Sequence, residues 1–63
     1  MNYQDLKKLI GEHVIATGSC GMNKGQEVFG ILSENNNLWV VTIIDEDGFE
    51  MPCSVYPQTI KES

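Results

Sequence analysis

Residues 27 to 44, Glu27-Val-Phe-Gly-Ile-Leu-Ser-Glu-Asn-Asn-Asn-Leu-Trp-Val-Val-Thr-Ile-Ile44, decide the fold of this chain. Val, Ile, Phe, Trp and Thr fill both arms, the residue types that pack well on a pleated surface. Between the arms, Ser33-Glu34-Asn35-Asn36-Asn37 supplies side chains that tolerate turn and left-handed backbone geometry. The stretch predicts a hairpin, with strands over about 27–33 and 38–44. If Leu38, Val40 and Thr42 share one face of the second arm, then Trp39, Val41 and Ile43 share the other, and both faces are apolar.

The rest of the chain is short punctuation around that hairpin. Upstream, Tyr3, Leu6 and Ile10 recur at helical spacing with Leu9 widening the stripe, which predicts a helix over about 3–10. Asn2 is placed to cap it, Asp5 lies in its first turn, Lys7 and Lys8 lie near its last, and Gly11 ends it. A helix of two turns is marginal in water, so Leu6, Leu9 and Ile10 are expected to dock on the sheet or on another chain. His13 to Thr17 reads as a short strand, followed by a mobile loop, Gly18 to Gly25, with three glycines. That loop is not a phosphate-binding one, because Lys24 precedes Gly25 and a strand follows.

Downstream, Asp45-Glu46-Asp47-Gly48 makes a tight acidic turn, and a last strand is expected over about 49–56. Its alternation directs Phe49, Met51, Cys53 and Val55 to one side. Pro52 lacks a ladder donor, which predicts an edge strand or a bulge. Tyr56-Pro57-Gln58-Thr59-Ile60 reads as a turn, or one 3₁₀ turn, that tucks Ile60 under the sheet.

The expected architecture is mainly β: a small barrel or bent antiparallel meander of four to five strands with a short N-terminal helix, in a single domain spanning 1–63. Leu6-Lys-Lys-Leu-Ile-Gly11, Val14-Ile-Ala16 and Gly30-Ile-Leu-Ser-Glu-Asn-Asn-Asn-Leu38 together resemble the first half of the Sm-like pattern within the SH3-like small β-barrels. In that resemblance Asn35 or Asn37 occupies the RNA-facing turn. The second Sm signature, with its Arg-Gly pair, is absent, since the chain has no arginine. The resemblance therefore implies the architecture and not the activity.

Composition narrows the function by exclusion. With 63 residues the chain buries only about 60% of the surface its unfolded form exposes, so stability is marginal. An apolar fraction of 41% against 21% charged residues marks a globular chain. No apolar run reaches the roughly 20 residues of a membrane span. Met1-Asn2-Tyr3-Gln4-Asp5 lacks the basic start and apolar stretch of a signal peptide, so a soluble, cytoplasmic protein is expected. Cys20 and Cys53 could form one bridge, but without secretion signals or metal-ligand spacing such a pair is more often two reduced thiols. Nine acidic residues oppose four lysines, for a net charge of −5, which disfavours nucleic acid as a partner.

Candidate chemistry is sparse. His13 with Cys20 or Cys53 would make a Cys-His nucleophile pair only if they met in space. Cys53 falls on an apolar strand face, and Cys20 has no basic neighbour closer than Lys24 to activate it. Asp45, Glu46, Asp47 and Glu50 suggest a cation site, but the calcium-loop register puts Ile43 at the first position and Ser54 at the twelfth. One His and two distant Cys do not make a zinc set. No catalytic residue, metal or cofactor is expected.

What remains is a non-catalytic interaction module with an apolar patch around Trp39, Phe49 and Tyr56 and an acidic rim at Asp45, Glu46, Asp47 and Glu50. Residues 25 to 60 contain six acids and no Lys or Arg, so a basic surface on a partner protein is the natural complement. Such a module can regulate or inhibit a nucleic-acid-binding protein by imitating nucleic-acid charge, a use that suits a small phage or mobile-element product. Apolar residues on both faces of 38–44 further predict a homo-oligomer, a dimer first. The alternative from another class is a nucleic-acid-binding Sm-like barrel.

Overall fold

The computed structural model describes residues 3–63, so the expected cap at Asn2 lies outside the described residues. The protein is mainly β, the described residues forming one short helix, α1 (Tyr3–Lys8), and five antiparallel strands in one sheet. The strands are β1 (His13–Thr17), β2 (Glu27–Asn35), β3 (Leu38–Ile44), β4 (Glu50–Ser54) and β5 (Lys61–Glu62), ordered β4-β3-β2-β1-β5. Pro52 sits in β4, an edge of that sheet, where its missing N–H costs no ladder bond.

The central hairpin turns on Asn36 (φ 53°) and Asn37 (φ 67°), both left-handed, between the paired residues Asn35 and Leu38. Two successive left-handed residues form the turn whose twist matches the flanking strands. Asn tolerates that conformation better than other side-chain-bearing residues, which is why β2 runs on to Asn35.

β2 is shared between two ladders. Its first half pairs with β1, from Glu27 opposite Thr17 to Ile31 opposite His13, and its second half pairs with β3, from Ile31 opposite Thr42 onward. Gly30 faces inward at the crossing, where a Cβ would overlap the carbonyl oxygen of Thr42. Only glycine lets the two backbones approach so closely and the sheet bend there.

The bend brings the far end of β4 back to β1. Gly18 bridges Val55, Ser19 N–H donates to the Ser54 carbonyl at 2.8 Å, and Tyr56 N–H donates to the Thr17 carbonyl at 3.0 Å. A 3₁₀ turn, Pro57–Thr59, then delivers β5 to the outer side of β1, opposite Val14 and Ile15, and Ile60 enters the core. The core consists of Val14, Ala16, Val28, Leu32, Trp39, Val41, Cys53, Val55 and Ile60 from the sheet and its connections, capped by Leu6 and Leu9.

Two expectations need correction, and one is refined. The helix stops at Lys8 because i to i−3 bonds, Leu9 N–H to Leu6 and Ile10 N–H to Lys7, tighten its exit; Gly11 (φ 88°) then reverses the chain. Ile10 is thereby left 41% exposed instead of docked. The Gly18 to Gly25 segment is a folded turn, with a 3₁₀ stretch at Gly21–Asn23 and bonds from Gly18 N–H to Gln26 and Gly25 N–H to Gly18, both 2.9 Å. In the last strand only Cys53 and Val55 reach the core, whereas Phe49 and Met51 are exposed, because the β3–β4 hairpin extends past the inner layer.

Candidate protein-contact surface

Period-2 alternation sends every second sheet residue outward, and the registers define the rows on that outer face. Lys61, Ile15 and Phe29 form one row across β5, β1 and β2; His13, Ile31, Thr42 and Pro52 form the next across β1 to β4. Phe29 is 53% exposed and Ile44 55%. By register Phe29 is opposite Ile44, but the β2–β3 ladder ends at Ile31 and Thr42, because β2 has crossed over to β1. The two strands diverge beyond that pair. The gap is a cleft of about 90 Å³ lined by His13, Phe29, Gly30, Ile31, Thr42 and Ile44. The His13 ring stacks on Phe29 with centroids 5.7 Å apart and planes at 24°.

The acidic turn stands at the Ile44 end of this cleft. Asp45 Oδ1 accepts N–H bonds from Asp47 and Phe49, each 2.9 Å, and Gly48 (φ 84°) closes the turn through a bond to the Asp45 carbonyl. One oxygen of Asp45 is therefore engaged in shaping the turn, while Glu46, Asp47 and Glu50 are exposed around it. Glu27, two residues before Phe29 on the same face, puts a carboxylate on the β2 strand at the same end.

The residues expected to form the contact patch do not come together. Trp39 is only 5% exposed and packs in the core, with the Tyr3 ring edge-on at 5.8 Å, so no surface patch is centred on it. Phe49, 68% exposed, sits at the acidic end of β3, while Tyr56 lies at the β1–β4 corner. Most of the length of β3 separates those ends, about 20 Å at ~3.4 Å per residue. Phe49, Asp45, Glu46, Asp47 and Glu50 share one pole of the molecule. The cleft residues Phe29, Ile31, Thr42 and Ile44 were legible only as strand formers, although Phe29 and Ile31 at alternate positions of β2, opposite an inward Val28 and Leu32, carry the signal of an apolar outer face.

A second, polar depression of about 350 Å³ lies between the helix exit and the β1–β5 edge, lined by Lys8, Leu9, Glu12, His13, Glu62 and Ser63. Cys20 is exposed and Cys53 buried, and both thiols are free. Among the described residues no three His, Cys, Asp or Glu side chains gather into a metal-holding group. No helix among them is long and apolar enough to cross a membrane. Comparison with known protein families, characterised proteins and solved structures finds no match to the chain.

Proposed function

We propose that this chain is a small acidic protein-interaction module that docks on a basic surface of another protein and regulates it by occupying that surface, without catalysis. The observation that carries the reading is the outer sheet face, where exposed Phe29 and Ile44 flank an apolar cleft with carboxylates on both strands at its acidic-turn end. An apolar centre with a charged rim is the usual anatomy of a protein contact, and exposed apolar patches of this kind mark interaction sites. Acidic residues around it select partners by sign and speed their encounter. A nucleic-acid-binding protein, whose own site is basic, fits that complement. The two free thiols suit a reducing compartment such as the cytoplasm.

Affinity purification of tagged protein from its native host, followed by a salt titration of the captured complex, tests the reading. The expected result is a protein with a basic surface, released as ionic strength rises. Recovery of RNA or DNA directly on the chain would favour the Sm-like alternative. Light scattering over a range of concentrations tests separately for a homodimer.

A further inference from the structure

Resting on the proposed interaction function, we infer that the cleft between Phe29 and Ile44 is the specificity pocket of the module. Its occupant is a single aliphatic side chain from a Lys- or Arg-bearing segment of the partner protein. The cleft exists because β2 pairs with β3 only from Ile31 onward and with β1 before it, so Phe29 and Ile44 stand as opposite walls of a gap closed at its narrow end by Ile31 and Thr42. Its volume is about 90 Å³. An apolar cavity that takes benzene is larger, on the order of 150 Å³. A Leu, Ile, Val or Met side chain therefore matches the cleft better than an aromatic ring. The Phe29 wall is held in place by the stacked His13 ring, so little rotamer freedom is lost on binding.

Charge sets what flanks that side chain. Glu50, paired with Ile44, and Glu46 and Asp47 of the turn lie beyond the Ile44 wall, and Glu27 lies two residues along β2 from Phe29 at the same end of the hairpin, so a chain entering the cleft from that end meets carboxylates on both strands. Lys61, the lysine on this face, is on the far side of Ile15 from Phe29. Two strand spacings of ~4.8 Å put it about 10 Å away. An acidic segment would be repelled at that end, and a neutral one would gain only the apolar contact.

The test is an amide chemical-shift titration of the intact chain with a short synthetic peptide carrying one Leu between paired Lys residues. The expected result is saturable shifts at Phe29 to Ile31 and Thr42 to Ile44. Replacing the Leu by Ala, or using F29S/I44S, is expected to weaken binding at least about tenfold, the value of a few buried methylenes. Both replaced side chains are more than half exposed, and an unchanged Trp39 emission verifies that the variant is folded. Equal binding of the Leu and Ala peptides, equal binding to F29S/I44S, or binding of a Glu-flanked peptide would each overturn the inference. Concentration-dependent shifts at the same amides without peptide would also overturn it, by showing a second copy of the chain in the cleft. If F29S/I44S still captures the host protein that the wild type captures, the pocket is wrong and the interaction reading stands. A wild type that captures no protein overturns the interaction reading itself.

Discussion

The Thr17 backbone N–H donates to Thr59 Oγ1 at 2.8 Å, and the same hydroxyl donates to the Tyr56 carbonyl at 2.6 Å. One hydroxyl thus ties the end of β1 to the 3₁₀ turn that returns the chain to β5. The pair spans 42 positions of sequence, and the Thr17 donor is part-buried. Thr59→Val keeps the shape and removes the acceptor, so a destabilisation of about 1–3 kcal/mol is expected from the unsatisfied N–H. Thr59→Ser retains the hydroxyl and should remain much closer to the wild type. Urea denaturation of the two variants checks this.

Gly30→Ala places a methyl group against the Thr42 carbonyl and Val41, both part of the packed β3 backbone and core. Neither is the movable end of a flexible side chain. The expected cost is about 3 kcal/mol, the upper part of the range for overpacking. Against the roughly 3–5 kcal/mol that a core this small supplies, that leaves a marginal fold whose unfolded fraction becomes measurable. Far-ultraviolet circular dichroism and amide shift dispersion read the outcome.

Leu6 and Leu9 are buried under the sheet, whereas Ile10 points to solvent. Leu6→Ala is expected to cost about 2–5 kcal/mol and to expose Trp39, seen as a red shift of its emission. Ile10→Asp should stay within about 0.5 kcal/mol of the wild type. Equal sensitivity at positions 6 and 10 would contradict the helix exit described above.

Tyr3 hydroxyl donates to Glu34 Oε2 at 2.8 Å, with Lys7 Nζ 4.9 Å from the ring centroid. The hydrogen bond to Glu34 raises the phenol above its ordinary value near 10, with desolvation and the Glu34 charge acting the same way and Lys7 opposing them. A raised folded value means that the protonated phenol favours the folded chain. That contribution is complete below the unfolded value and is lost as pH rises through the folded one. The melting temperature of the wild type should therefore fall more steeply above about pH 10 than that of Tyr3→Phe, which has no phenol to titrate there.

The central hairpin was legible because three independent signals agreed: β-forming arms, an Asn-rich turn, and lengths suited to strands. The same stretch concealed which face of β3 is buried, since Leu38, Val40 and Thr42 are nearly as apolar as Trp39, Val41 and Ile43. Burial was decided by curvature, and curvature by the contact of Gly30 with Thr42, a relation between strands that no local pattern carries. Phe49 and Met51 share the strand side of Cys53 yet are exposed, for a similar reason. Alternation specifies sides of a strand, but not how far along it the inner layer extends. Glu27, Phe29 and Ile44 drew no attention because the divergence of β2 from β3 is a product of the bend.

The shared use of β2 bears on the order in which the chain assembles. β1 with β2, β2 with β3 and β3 with β4 are all pairings of sequence neighbours. Hairpins of that kind form within about 1–10 μs. The corner where Thr17 meets Tyr56 and Thr59 requires a long loop to close first, so it is expected to be completed late. Substitutions at this corner should accelerate unfolding while leaving the folding rate almost unchanged. Amide protons of Tyr56 and Ile60 should then exchange through opening events that leave the β2–β3 hairpin intact, giving the protein a seam that parts before the whole does.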